Sequence, residues 1–155
     1  YSNVPPGLRG LGMTFMVTGT ANAQDTPAPC GPANDLAADV GDNVAANSRC
    51  FELRMYTAEP EMNGKGGIDN LHQRFREKEV EIFENHGAEI LAVWQNLDNP
   101  NTLVWMLSYR DRAHREEVWA AFRADPEWHA LREKYEVPIS ADVFMMSATD
   151  YSKLK

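Results

Sequence analysis

Three residues in the stretch "LHQRFREKEVEIFENHG" carry groups able to bind a metal or move a proton: His72, Glu79 and His86. On a helical wheel of 100° per residue they fall within about 40° of one another. They sit inside or beside an apolar stripe of Ile68, Leu71, Phe75, Ile82 and Phe83. A shared face does not make a metal site. Successive members are about 10.5 Å apart along a helix, too far for one ion whose ligands lie at about 2 Å. Neither H-x-x-x-H nor H-E-x-x-H occurs, and there is no Cys-Cys metal pair, Gly-rich phosphate loop or pair of catalytic carboxylates. No metal and no cofactor is expected. Glu79 by itself is the stronger candidate. A carboxylate midway along a face that packs on a sheet is costly unless paired or wet. It could pair with Arg54, or act as a general base of raised pKa in a water-filled pocket. A small change of helix phase would put it at the solvent edge instead. His86, next to Gly87, is a second proton-transfer candidate, although the helix dipole also favours a histidine there for structural reasons.

A second group lies in "CFELRMYT", residues 50–57, where Phe51, Leu53 and Met55 alternate with Glu52, Arg54 and Tyr56. Period-two alternation predicts a half-buried strand. If the apolar set faces the helices, the polar set faces a partner subunit, and Glu52, Arg54 and Tyr56 form a dimer-interface network. In the alternative reading Arg54 orients an anionic ligand and Tyr56 donates a hydrogen bond. Trp94 and Trp105 join that list as aromatic ligand contacts, while Trp119 and Trp128 share stripes with Phe122 and Leu131 and read as core. Arg112 and Arg115 open a helix against its dipole, which calls for acidic partners such as Asp111 or Glu116. His72, His114 and His129 read as exposed, with no nucleophile beside them.

The elements that position these residues are well punctuated. After the first strand, Pro60 and three glycines mark a loop, and a helix follows that ends at Gly87, a natural residue to close it. "AEILAVWQNL" and "TLVWMLSY" read as an antiparallel hairpin around "DNPN". A second helical run is interrupted at "ADP", since Pro126 disfavours helical geometry at Asp125, and "ADVFMMSA" forms a last strand. The order strand, helix, strand, strand, helix, strand predicts an α+β, ferredoxin-like βαββαβ domain with a four-stranded antiparallel sheet. Its strands are apolar on both faces, so both faces need a cover, and a second copy of the sheet is the simplest one.

The chain has 155 residues, 43% of them hydrophobic, and a formal charge of −8. That suits one domain with a sizeable core and argues against a phosphate backbone as partner. No apolar run approaches the roughly 18 residues of a membrane span. Residues 1–23 contain no acid and one Arg, with a modest apolar run and "ANA" before Gln24. This predicts a signal peptide and export to the periplasm or outside, with a mitochondrial presequence as the alternative. Residues 24–49, rich in Ala, Pro and Asp and without aromatics, read as a flexible linker before a domain over 50–155. Cys30 and Cys50 could be bridged in an oxidising compartment, or could be two unpaired thiols.

The segments "FELRMYT", "FENHG", "NTLVWMLSYRDRAHREEVWAAFRADPEW" and "TDYS" resemble the NIPSNAP family of the dimeric α+β barrel superfamily, from about Cys50 to Ser152. The loop "AEPEMNGKGG" is longer than the short Pro-Gly connection of that family, and Lys78 and Glu79 add charge to its first helix. The resemblance implies the fold and a homodimer more than a reaction, since family activity is largely unassigned. Relatives with the same barrel include cofactor-free oxygenases, isomerases and haem enzymes, with sites between sheet and helices. A shared fold does not transfer those activities. Two functions therefore remain: a binding or interaction module, or a cofactor-free enzyme acting on a small hydrophobic ligand. A mixed-polarity cavity holding Glu79, His86 and Tyr56 would favour the second.

Overall fold

The structure is a computed structural model and describes residues 30 and 41–155. The expected leader, 1–23, and the linker apart from residues 30 and 41–49 lie outside the described residues. The chain runs β1 (Cys50–Ala58), a helix α1 over residues 68–85, β2 (Glu89–Gln95), β3 (Thr102–Tyr109), α2 (Arg112–Ala124), α3 (Pro126–Lys134) and β4 (Ile139–Ser147). The four strands form one antiparallel sheet in the order β2-β3-β1-β4. The helices pack on one of its faces, which is the ferredoxin-like arrangement. Part of the expected linker belongs to the domain: Val44 pairs with Thr149 and Ala45 N donates to Ala148 O.

Local chemistry sets the helix boundaries. The Asp111 carboxylate accepts from His114 N and starts α2, and the Asp125 carboxylate accepts from Glu127 N and starts α3, with Pro126 in its first turn. Proline there gives up no hydrogen bond the helix would have made. Helix α1 closes at Gly87, whose φ of +100° suits a residue without a side chain. Within α1, residues Phe75–Glu79 form a π turn: Val80 N donates to Phe75 O, five residues back. Such a turn holds one more residue than an α turn, so it rotates everything beyond it on the helix surface.

The core is the layer between helices and sheet. Leu71, Phe75, Ile82 and Phe83 of α1 meet Leu103, Trp105 and Leu107 of β3, and Val118 and Phe122 of α2. Phe83 stacks on Phe122 at 3.8 Å, and Trp105 meets Phe75 and Tyr56 edge-on at 5.0 and 5.5 Å. Residues opposite one another in an antiparallel pair share a face. Glu52, Arg54 and Tyr56 pair with Leu107, Trp105 and Leu103, and so lie on the helix side of the sheet. The expected orientation of β1 is thus reversed: the polar row points into the helix layer, and Phe51, Leu53 and Met55 point to the open face. Alternation reveals two faces but not which one receives the helices.

Two further differences lie in the hairpin. A β-bulge between Ile90 and Ala92 shifts the register of β2. Val93 then joins Trp105 on the helix face, while Trp94 pairs with Val104 on the open face. The turn also takes residues 96–101 rather than four, because the Asn96 side chain accepts from the N–H groups of Asp98 and Asn99 and ends β2 early.

Candidate functional site

A cavity of about 320 Å³ opens between α1, α2, α3 and the start of β4. Phe83, Trp119, Phe122 and Trp128 supply aromatic walls, and Tyr56, Arg74 and Glu79 supply polar groups. Arg132 and the segment Glu136 to Ile139 complete the lining. Its volume is at the small end of the range for ligand pockets.

The π turn assembles the polar pair at its base. In an uninterrupted α-helix, residues five apart are separated by about 140° around the axis. Across the π turn that angle closes, and Arg74 Nε donates to Glu79 Oε2 at 2.8 Å with both side chains buried. Burial pushes the Glu79 carboxyl up to about 6, and the charge and hydrogen bond of Arg74 only partly restrain it. The Arg74 guanidinium also lies 5.1 Å from the centre of the Trp128 ring, a cation–π arrangement. Tyr56 accepts from Arg54 Nε at 2.9 Å. Burial raises its phenol to about 12, against the charge of Arg54, so it is neutral and a hydrogen-bond donor at neutral pH.

Beside the cavity is a second polar cluster, closed and structural. Glu52 has no solvent exposure and accepts from Tyr109 Oη at 2.8 Å, Arg54 Nη1 at 2.9 Å and Arg115 Nη2 at 2.8 Å. Trp119 Nε1 adds a 3.2 Å contact. Burial alone would raise this carboxyl, but the bonds and charge of Arg115, with Arg54 and Tyr109, take it below its ordinary value. Burial and the neighbouring Glu52 charge raise the Tyr109 phenol. One carboxylate thereby ties β1, β3 and α2 together.

The structure divides the expected site residues. Glu79 and Tyr56 line the cavity together, and Arg54 stands behind Tyr56. Arg74, rather than Arg54, is the ion-pair partner of Glu79. His86 lies elsewhere: its Nε2 meets Asp125 Oδ2 at 2.7 Å and ties the end of α1 to the α2–α3 junction. Its hydrogen bond holds the Asp125 carboxyl below its ordinary value. Trp105 is fully buried in the core and Trp94 is half exposed on the opposite face, so the two share no site. Glu52, Arg54 and Tyr56 are not at an interface on the open face, because the register of β1 turns them to the helices. His114, expected to be exposed, is buried, its Nδ1 accepting from Arg110 N. His72 meets Gln95 and His129 meets the Arg123 carbonyl. Arg115 finds Glu116, as expected, and also Glu52.

Arg74, Trp119 and Trp128 are the site residues that sequence reasoning missed. A wheel of constant pitch turns Arg74 away from Glu79, and nothing in the residue types announces the π turn. Among the described residues no group of three or more His, Cys, Asp or Glu could hold a metal ion. None of their helices is long and apolar enough to cross a membrane. Cys30 and Cys50 are joined in a disulfide, with Cα atoms 4.4 Å apart.

The NIPSNAP family model matches residues 51–153. The chain belongs to the NIPSNAP family. It is similar to a solved NIPSNAP family protein of unknown function from Agrobacterium tumefaciens, with a TM-score of 0.62 and 22% identity, covering 73% of this chain and 99% of that one. An uncharacterized NIPSNAP-like domain protein from Burkholderia xenovorans gives 0.58 and 19%, covering 68% of this chain and 90% of that one. A mutant of SnoaB, a cofactor-independent oxygenase from Streptomyces nogalater, gives 0.50 and 9%, covering 69% and 98%. At these identities the likeness establishes the fold alone. Among curated proteins none matches the chain. The NIPSNAP domain here thus has a family and a fold, and its function has to be argued from its own cavity.

Proposed function

We propose that this NIPSNAP domain is an exported, homodimeric small-molecule-binding module, which takes a small and largely apolar ligand into the cavity between helices and sheet. The observation that carries this is the cavity itself: four aromatic walls around Tyr56 and the buried Arg74–Glu79 pair. Aromatic walls contribute apolar burial, and a few fixed polar groups set orientation. The dimer is supported by the open sheet face, which presents Leu53, Met55, Val104, Met106 and the half-exposed Trp94 and Phe144. A monomer seldom leaves such a patch uncovered. Export is supported by the Cys30–Cys50 bridge, since disulfides persist in oxidising compartments. The single Arg in residues 1–23 weighs against the mitochondrial alternative.

Native mass spectrometry of purified protein tests the dimer and the ligand. The expected species is twice the chain mass, carrying a small molecule that is lost on unfolding. A strictly monomeric mass at micromolar concentration would refute the dimer.

A second reading, cofactor-free proton transfer, draws on Glu79. A carboxyl near pH 6 that faces a largely apolar cavity suits a general base. In that case Glu79→Gln would abolish consumption of a bound substrate while leaving its binding within a few-fold. Unchanged turnover in the variant would remove Glu79 from the chemistry.

A further inference from the structure

Arg74 is a guanidinium with work left to do. Its Nε is satisfied by Glu79, but among the described residues Nη1 and Nη2 have no hydrogen-bond partner. The side chain is only 5% exposed. Trp105 Nε1 and Arg112 Nε are the buried, unpartnered side-chain nitrogens of the described residues, and the Nη atoms of Arg74 are not among them. Arg74 lines the cavity, so a partner for these groups from outside the chain would come from there. A guanidinium edge taken out of water strongly favours acceptor oxygens.

The charges around it have the same sense. Three guanidiniums, those of Arg54, Arg74 and Arg115, share the buried carboxylates of Glu52 and Glu79, with the exposed Glu116 a further partner of Arg115. At the mouth, Glu136 is engaged by Lys65 at 2.9 Å, while Arg132 has no ion-pair partner among the described residues. The hydroxyl of Tyr56 adds a neutral donor.

Resting on the reading of the cavity as a binding site, we propose that its ligand is a small monoanionic carboxylate with a flat apolar body, held through two oxygens by Nη1 and Nη2 of Arg74. A planar fork of two N–H groups matches the two oxygens of a carboxylate. Trp128, against the guanidinium, and Phe83, Trp119 and Phe122 beyond it leave an aromatic slot for the body. A volume of about 320 Å³ limits that body to roughly one or two rings.

The test uses matched probes on the full chain at neutral pH. Benzoate and phenylacetate are titrated by calorimetry against benzamide and phenylacetamide, which have the same shape without the charge. The carboxylates should bind at least tenfold more tightly than their amides. Arg74→Lys, which keeps the charge and the partner of Glu79 but loses the fork, should weaken carboxylates on the order of tenfold and leave amides unchanged. Arg132→Gln, at the rim, should change either series by less than threefold. Amides binding as well as carboxylates would overturn the anion and leave the cavity reading intact. Loss of carboxylate binding in Arg132→Gln but not in Arg74→Lys would overturn the role of Arg74. Failure of every probe at millimolar concentration would overturn both readings.

Discussion

Glu79 is a charge that its surroundings resist, and that resistance has a measurable sign. Its carboxyl titrates at about 6 in the folded domain against an ordinary 4.5, so the native state holds the proton more tightly than the unfolded chain. Its contribution to stability is complete below pH 4.5 and is lost as pH rises through about 6, by roughly 2 kcal/mol. The groups facing it are Arg74 on its own helix, Tyr56 and Arg54 on β1, and Arg132 and Glu136 across the cavity. In urea unfolding from pH 4 to 8 the wild type should lose roughly 2 kcal/mol relative to Glu79→Gln as pH rises through this window, and a constant difference would contradict the shifted carboxyl. Glu52 has the opposite sign: its lowered pKa gives stability that is present above the ordinary carboxylate value and lost on acidification. With three charged or phenolic donors left facing a void, Glu52→Ala should cost about 3–5 kcal/mol in the urea midpoint. A cost below 1 kcal/mol would show that water replaces the carboxylate there.

Among the elements, the fold was legible in the sequence and the site only in part, for a common reason. Periodicity counts residues at constant pitch, and it placed all four strands, the proline break and the glycine that closes α1. It fails where the pitch changes. The π turn at Phe75–Glu79 brought in Arg74, and the bulge in β2 moved Trp94 to the far face. The orientation of β1 was not legible either, because Glu52 and Arg54 look like surface residues until Arg115 and Trp119, more than sixty positions away, supply their partners. Gly87 is a simpler case. A Cβ there would lie 3.1 Å from His114 Nε2, on a backbone with φ of +100°. Gly87→Ala should therefore destabilise by about 1–2 kcal/mol from its backbone alone. Calorimetric unfolding would reveal the loss, and an unchanged melting temperature would mean that the turn had reorganised.

At the scale of the whole molecule, the two sheet faces differ, one building the cavity and the other presenting exposed apolar residues. Phe144, paired with Leu53 and 49% exposed, stands on the second face. In the proposed dimer, Phe144→Glu should weaken self-association on the order of a hundredfold, with the melting temperature of the monomer little changed. Sedimentation equilibrium distinguishes this from general unfolding, and a variant that still sediments as a dimer would assign the contact to another surface. The π turn has a consequence at this scale too. It is one residue of surplus length inside a helix, so it sets the phase between the two halves of α1. A NIPSNAP relative one residue shorter between the positions of Arg74 and Glu79 would have a regular helix, with its arginine and glutamate four apart and still on one face, but with the residues before the arginine turned relative to those after the glutamate. Helix length, counted across the family, should then report which way the first turns of the helix face relative to the charged pocket floor, before any of those structures is known.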